Sequence, residues 1–146
     1  MHFFKNDEFA FDSYSPIEKF GEGIISYSHI KSISFPSATK VKEIPTSAFQ
    51  GCQHLSSIET PLSVERIERS AFYETILESI PFHPDSRLQC IGVQPFSHCT
   101  RLTLIEIPSS VQVFSNYAFH DSSCQTITFA PNSQLETIGV ECSRDW

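Results

Sequence analysis

Two cysteine–histidine pairs are the residues of this chain whose types come nearest to metal chemistry. His54 follows Cys52 at two residues, and His98 directly precedes Cys99. Thiolate sulfur and imidazole nitrogen are both ligands of zinc, and four such ligands complete a structural zinc site. The two pairs can form such a site only if the fold brings them together.

A second stretch, His83-Pro84-Asp85-Ser86, contains a base, an acid and a hydroxyl nucleophile. Residues crowded along one turn rarely converge on a reacting atom. A related stretch reads Ala130-Pro131-Asn132-Ser133, so a Pro-Asp/Asn-Ser turn accounts for both. None of the five glycines has the spacing of a phosphate-binding loop. We therefore predict that the chain is not an enzyme and has no catalytic, cofactor-binding or metal-binding residues.

The elements that hold these residues belong to a repeat. A small-residue-plus-Phe step recurs at intervals of 23, 24 and 23 residues, in Ala48-Phe49, Ala71-Phe72, Pro95-Phe96 and Ala118-Phe119. A period of this length is typical of a solenoid in which each coil packs only on its neighbours.

Two apolar units flank each step. Before it stand pairs of large apolar residues three apart, which begin at Ile17, Val41, Val64, Leu88, Val111 and Leu135. After it stands an L-x-x-I-x-I unit, whose alternation predicts a short strand that ends at a proline or turn corner. The predicted fold is an α/β repeat solenoid of five to six coils, with one short parallel strand per 23–24 residue coil and short helical or 3₁₀ turns on the other side.

The true unit is a pair of coils. Phe82 to Gly92 returns 47 residues later as Phe129 to Gly139, and corners of six residues alternate with corners of four. Cys52 and Cys99 are therefore two coils apart, about 10 Å by strand spacing, with both side chains pointing inward. This geometry predicts no shared metal site, and it predicts reduced, buried thiols without disulfides.

Composition limits the partners. The formal charge is −7, and ten Lys and Arg residues are scattered among 146 residues. Nucleic acid and anionic membranes attract clustered positive charge, so we expect neither as a partner. No apolar run reaches the length of a membrane span.

The pattern I-x-I-P-x-S-V-x-x-I-x-x-x-A-F-x-x-C-x-x-L is similar to the leucine-rich repeats of BspA-like surface antigens. Ile105 to Phe119 and Ala48 to Ile58 match it closely, and the resemblance covers about residues 17 to 142. It implies a cell-surface adhesion module that binds host or other cell-surface proteins.

Both ends depart from the pattern. Met1 to Phe11 has too short an apolar run for a signal peptide, so the chain as given is expected in the cytoplasm, in conflict with a surface role. We interpret residues 1–16, with Phe3, Phe4, Phe9 and Phe11, as an irregular aromatic cap and residues 17–146 as the repeat domain. Cys142-Ser143 stands where Ala-Phe is due, which predicts an uncapped end that permits self-association.

The exposed strand positions are the candidate binding site, because stacking aligns them on one face of the solenoid. They form a hydroxyl-rich surface with one apolar residue and two carboxylates: Ser32, Ser34, Ser57, Glu59, Ser79, Leu104, Glu106, Thr126 and Thr128. We predict a non-enzymatic module that binds protein through this face in cell-surface adhesion. The alternatives are an intracellular scaffold, which the missing signal peptide favours, and a truncated copy from an expanded repeat family.

Overall fold

The computed structural model describes residues 3–5, 8–11 and 17–139. We number six coils from the apolar residues that begin them, at positions 17, 41, 64, 88, 111 and 135. The described residues contain ten short strands: β1 (Phe3–Lys5), β2 (Glu8–Ala10), β3 (Ser32–Ser34), β4 (Glu43–Ile44), β5 (Arg66–Ile67), β6 (Cys90–Ile91), β7 (Leu104–Ile107), β8 (Val113–Phe114), β9 (Thr126–Phe129) and β10 (Thr137–Ile138).

The longest ladder of the solenoid joins the first strands of coils two to six. It is a five-stranded parallel sheet in the order β10-β8-β6-β5-β4, with neighbours one coil apart. Sequence reasoning placed one strand in each coil, which is wrong for coils four and five, where a first and a second strand are both present. The first strands were missed because each is only two residues long, too short to show an alternating pattern.

The second strand of a coil is the strand of its L-x-x-I-x-I unit, which the sequence predicted, as in β3, β7 and β9. The second strands do not form one continuous sheet. Coils two and three meet in the isolated bridge Ser57↔Ser79, and coils four and five pair along β7 and β9. Within the described residues, no pairing of second strands crosses the six-residue corners from coil one to two or from coil three to four.

The corner lengths explain this interruption. Equivalent second-strand residues are 22 apart across a four-residue corner, as in Leu104 and Thr126, but 25 apart across a six-residue corner, as in Ser79 and Leu104. First strands of neighbouring coils keep an even spacing of 23 or 24 residues. The unequal corner lengths therefore change the spacing mainly between second strands. Stacking therefore yields pairs of coils there, as the two-coil repeat of the sequence suggests.

The segment around each Ala-Phe step is a series of turns. The expected helical or 3₁₀ turns are not found, because the described residues contain no helix. Ala48 and Gln50 donate to carbonyls three residues back, whereas Ser47, Phe49 and Gly51 donate to the next coil at 2.8–2.9 Å. A helix needs consecutive internal hydrogen bonds, and this alternation gives every second one to the neighbouring coil.

Phenylalanine fills the core as a stacked column. The rings of Phe49, Phe72, Phe96 and Phe119 follow one another at centroid distances of 5.3, 5.6 and 5.3 Å. Phe20 continues the column at 6.1 Å from Phe49. The period that places one Phe in every coil from the second to the fifth therefore builds a continuous aromatic core.

The N-terminal segment covers the first coil with regular structure. β1 pairs antiparallel with β2, and β2 pairs parallel with β3, so the expected irregular cap is wrong at these residues. Phe9 and Phe11 are buried, and Phe11 stacks on Phe35 at 5.2 Å. The division of the chain at residue 17 stays a prediction, and the departure at Cys142-Ser143 lies outside the described residues.

Candidate functional site

The residues expected to form a binding face lie at the solvent-facing positions of the second strands. Ser32 is half-buried, and the other eight are exposed. Register places Leu104 beside Thr126 and Glu106 beside Thr128 on coils four and five. The leucine is 52% exposed, and its register partner on the next coil is a polar residue.

The structure divides these residues into three groups. Ser32 and Ser34 belong to coil one, Ser57, Glu59 and Ser79 to coils two and three, and the remaining four to coils four and five. The groups coincide with the pairing of the second strands. A single uninterrupted sheet face, which the sequence led us to expect, is therefore not present.

A groove of about 1210 Å³ opens beside the first two groups. The lining residues include Phe9 of β2 and the buried Ile33 and Ile58, together with exposed second-strand residues of coils one and two. The groove includes the boundary between coils one and two, where the second strands do not pair. Because no strand ladder joins these two coils, their second strands leave space between them.

The corners also line this groove, and sequence reasoning missed them as surface elements. Leu62, which is 49% exposed, is an apolar residue of the short corner, while His83, Asp85 and Arg87 come from the following long corner. The groove thus combines hydroxyls, apolar surface and both signs of charge. The recurrence of proline corners at the end of each L-x-x-I-x-I unit was the sequence signal for this wall.

The His83-Pro84-Asp85-Ser86 stretch is the turn that the sequence predicted. The Ser86 N–H donates to the His83 carbonyl at 2.9 Å, and the Asp85 N–H donates to His83 Nδ1 at 3.1 Å. The Ser86 hydroxyl accepts the Leu88 N–H at 3.2 Å. These side chains hold the corner in shape.

The thiols of Cys52 and Cys99 are buried at equivalent positions, three residues after the coil's phenylalanine. Each Sγ donates to a backbone carbonyl of the preceding coil, at 3.1 Å to Ile25 and 3.2 Å to Phe72. Burial raises the pKa of the Cys99 thiol to about 11, and a hydrogen bond with Thr75 opposes the rise. Both thiols are therefore protonated structural groups.

Cys90 behaves differently from these two residues. It is disulfide-bonded, whereas Cys52, Cys99 and Cys124 are free. The expectation that the chain contains no disulfide is wrong at this position. That expectation compared only cysteines at the same repeat position, and Cys90 lies on first strand β6, which the sequence reasoning did not foresee.

The turn side of the solenoid, which the segments around the Ala-Phe steps form, carries a histidine cluster that the sequence analysis did not predict. His98, His120 and Asp121 each place one possible ligand atom within 4.8 Å of the others. The sequence analysis paired His54 and His98 with the cysteines near them and did not consider His120 or Asp121. The period held the signal, because His98 and Asp121 are 23 residues apart and so occupy equivalent positions of adjacent coils.

Comparison with known protein families identifies a repeat family. A family model described as BspA type leucine-rich repeat region matches residues 18–144 in six copies. No curated protein matches the sequence significantly. Within the part of the chain that the structure describes, no helix has the length and apolar character needed to cross a membrane.

Proposed function

Because the chain belongs to the BspA-type leucine-rich repeat family, a repeat class that supports protein interaction, we propose that it is a non-enzymatic module for cell-surface adhesion. It binds a partner protein through the second-strand face and the adjoining groove. The partner is a protein on the surface of a host or neighbouring cell.

The groove is the observation that carries this proposal. It spans three coils and offers the exposed apolar side chain of Leu62 beside the hydroxyls of Ser57 and Ser34. Protein interfaces need an apolar centre with polar groups around it, and this surface provides both. Leu104 supplies a second apolar point on the same side, on coils four and five.

Charge defines the complementary surface. The chain has a net charge of −7, and Glu59 and Glu106 are exposed on the second-strand side. A partner with basic residues would associate faster at low ionic strength, because complementary charge steers encounter. We therefore expect association rates that fall as salt rises.

The disulfide at Cys90 supports a location outside the reducing cytosol. Disulfides persist in oxidising compartments and at cell surfaces, and they are rare where thiol reductants are maintained.

Antibody labelling of intact and permeabilised cells tests the location. We expect labelling of intact cells. Labelling that requires permeabilisation would contradict the surface role and favour an intracellular scaffold.

Adhesion of the purified protein to intact cells tests the binding site. We expect binding that is lost after protease treatment of those cells and after Leu104→Arg or Glu59→Arg in the added protein. Gln53→Arg is the matched control. Gln53 is exposed on the turn side, so this substitution also introduces one arginine but places it away from the proposed site. Equal loss with Gln53→Arg, or binding that resists protease, would count against a protein partner at this face.

A further inference from the structure

We propose that His98, His120 and Asp121 form a binding site for a divalent transition-metal ion, for which Zn²⁺ is the probe. The three residues lie on the turn side of coils four and five. They share no residue with the groove on the second-strand side. The proposal is therefore independent of the adhesion function.

The ligand atoms already converge. Asp121 Oδ2 is 3.2 Å from His120 Nδ1 and 3.8 Å from His98 Nε2. Ligand atoms bound to one tetrahedral zinc at 2.0–2.1 Å lie about 3.3 Å from each other. Two of the separations are therefore close to that spacing, and all three atoms lie within 4.8 Å of one another.

The backbone of the repeat fixes this convergence. His98 and Asp121 occupy the same position of adjacent coils, and both have positive φ, of 59° and 53°. The His98 N–H donates to the His120 carbonyl at 3.0 Å, which ties the two turns together. Positions with the same backbone project their side chains alike, so the imidazole of one coil lies beside the carboxylate of the next.

Aromatic rings limit the freedom of both imidazoles. Tyr73 meets the His98 ring edge-on at a centroid distance of 5.0 Å, and Tyr117 meets the His120 ring edge-on at 5.9 Å. Restricting the ligands before the metal arrives lowers the entropy lost on binding.

The ligand set selects the class of ion. Imidazole nitrogen suits Zn²⁺ and its neighbours in the first transition row, whereas Mg²⁺ and Ca²⁺ prefer oxygen alone. The site is partly exposed, with Asp121 60% exposed at its side chain, so water completes the coordination. A cluster of surface histidine–aspartate ion pairs is the simpler alternative, and such pairs contribute little to stability.

Calorimetric titration of the untagged full chain with Zn²⁺ tests the proposal. We expect one ion per chain, no competition from Mg²⁺, and a rise in melting temperature on zinc addition, because the ion binds only the folded state. Asp121→Asn and His120→Gln should each weaken binding by at least about tenfold, since even outer-shell changes cost that much. Asparagine also tolerates positive φ, so Asp121→Asn preserves the turn.

His54→Gln is the matched control. His29 and His54 form a histidine pair at a ring distance of 5.4 Å on the same side of the solenoid, outside the three-residue cluster. This variant should bind zinc as the native chain does. Absence of zinc binding, or binding that Asp121→Asn and His120→Gln leave unchanged, would overturn the proposal and reduce the cluster to surface ion pairs.

Discussion

Positive φ angles recur with the repeat at the scale of single residues. Coils one to five each place a positive-φ residue two positions before and two positions after the central apolar residue of the turn. The ten positions are Gly23, Tyr27, Ser47, Gly51, Ser70, Glu74, Gln94, His98, Tyr117 and Asp121. Only two of them are glycine, although a left-handed conformation costs other residues roughly 1–2 kcal/mol. The hydrogen bonds between coils must offset that cost.

Gly51→Ala should destabilise the protein by about 1–2 kcal/mol through its positive φ alone. A Cβ at this position would also lie 2.4 Å from Tyr27 Cδ1, which adds to the loss. Urea denaturation measures the change. Gly21→Ala is the control, because a Cβ there meets nothing within 4 Å, and equal losses in the two variants would refute this explanation.

Cys99 should resist alkylation in the native protein. Because burial raises the pKa of its thiol to about 11, the reactive thiolate is scarce at pH 8 and increases as the pH rises toward 11. We expect labelling at least about a hundredfold slower than in the urea-unfolded chain, where the thiol recovers an ordinary pKa near 8.5. Site-resolved mass spectrometry after a timed pulse of iodoacetamide measures this, and similar native and unfolded rates would contradict it.

At the scale of elements, the solenoid is held by three repeating interactions between coils. They are the first-strand sheet, the hydrogen bonds of the turn segments and the column of phenylalanine rings. The second strands contribute less, because their pairing is interrupted at the long corners. This division leaves the second-strand side open for the groove while the other interactions maintain the stack.

Phe96→Ala should cost about 3–5 kcal/mol, because it removes a fully buried ring from the middle of the column. Phe129→Ala makes the same truncation at a residue that is 44% exposed and should cost much less. Chemical denaturation of the two variants side by side measures the difference. Equal costs would show that the column does not stabilise the array.

At the scale of the whole molecule, the two ends of the described array differ. Phe9 and Phe11 bury the surface of coil one, whereas every residue of β9 is exposed and Ile138 of β10 is 69% exposed. Exposed apolar side chains on edge strands favour pairing with another chain. Self-association through this end, which the sequence suggested, remains a prediction.

Ile138→Lys should reduce self-association, because it places charge on the exposed end. Sedimentation velocity over a concentration series should show the native chain forming dimers or larger species and the variant shifted toward monomer. Ile24→Lys is the control, since Ile24 is 49% exposed on coil one. A native chain that stays monomeric throughout the series would exclude this end as an interface.

The sequence by itself determined the coil length, the inward apolar positions and the pairing of coils into units, because each follows from a period readable in residue types. It also predicted the exposure of Leu104 and Glu59 and the turn at His83 to Ser86, which depend on local alternation and local hydrogen bonds.

Only the tertiary structure decided the first-strand sheet, the turns in place of helices, the disulfide at Cys90 and the convergence of His98 with His120 and Asp121. Each of these depends on how one coil sits against the next. Equivalent second-strand residues are 25 apart across a long corner and 22 apart across a short one. This difference decides where the second strands pair and where the groove opens. The period indicates which residues are neighbours, but hydrogen bonding across the stack sets their geometry.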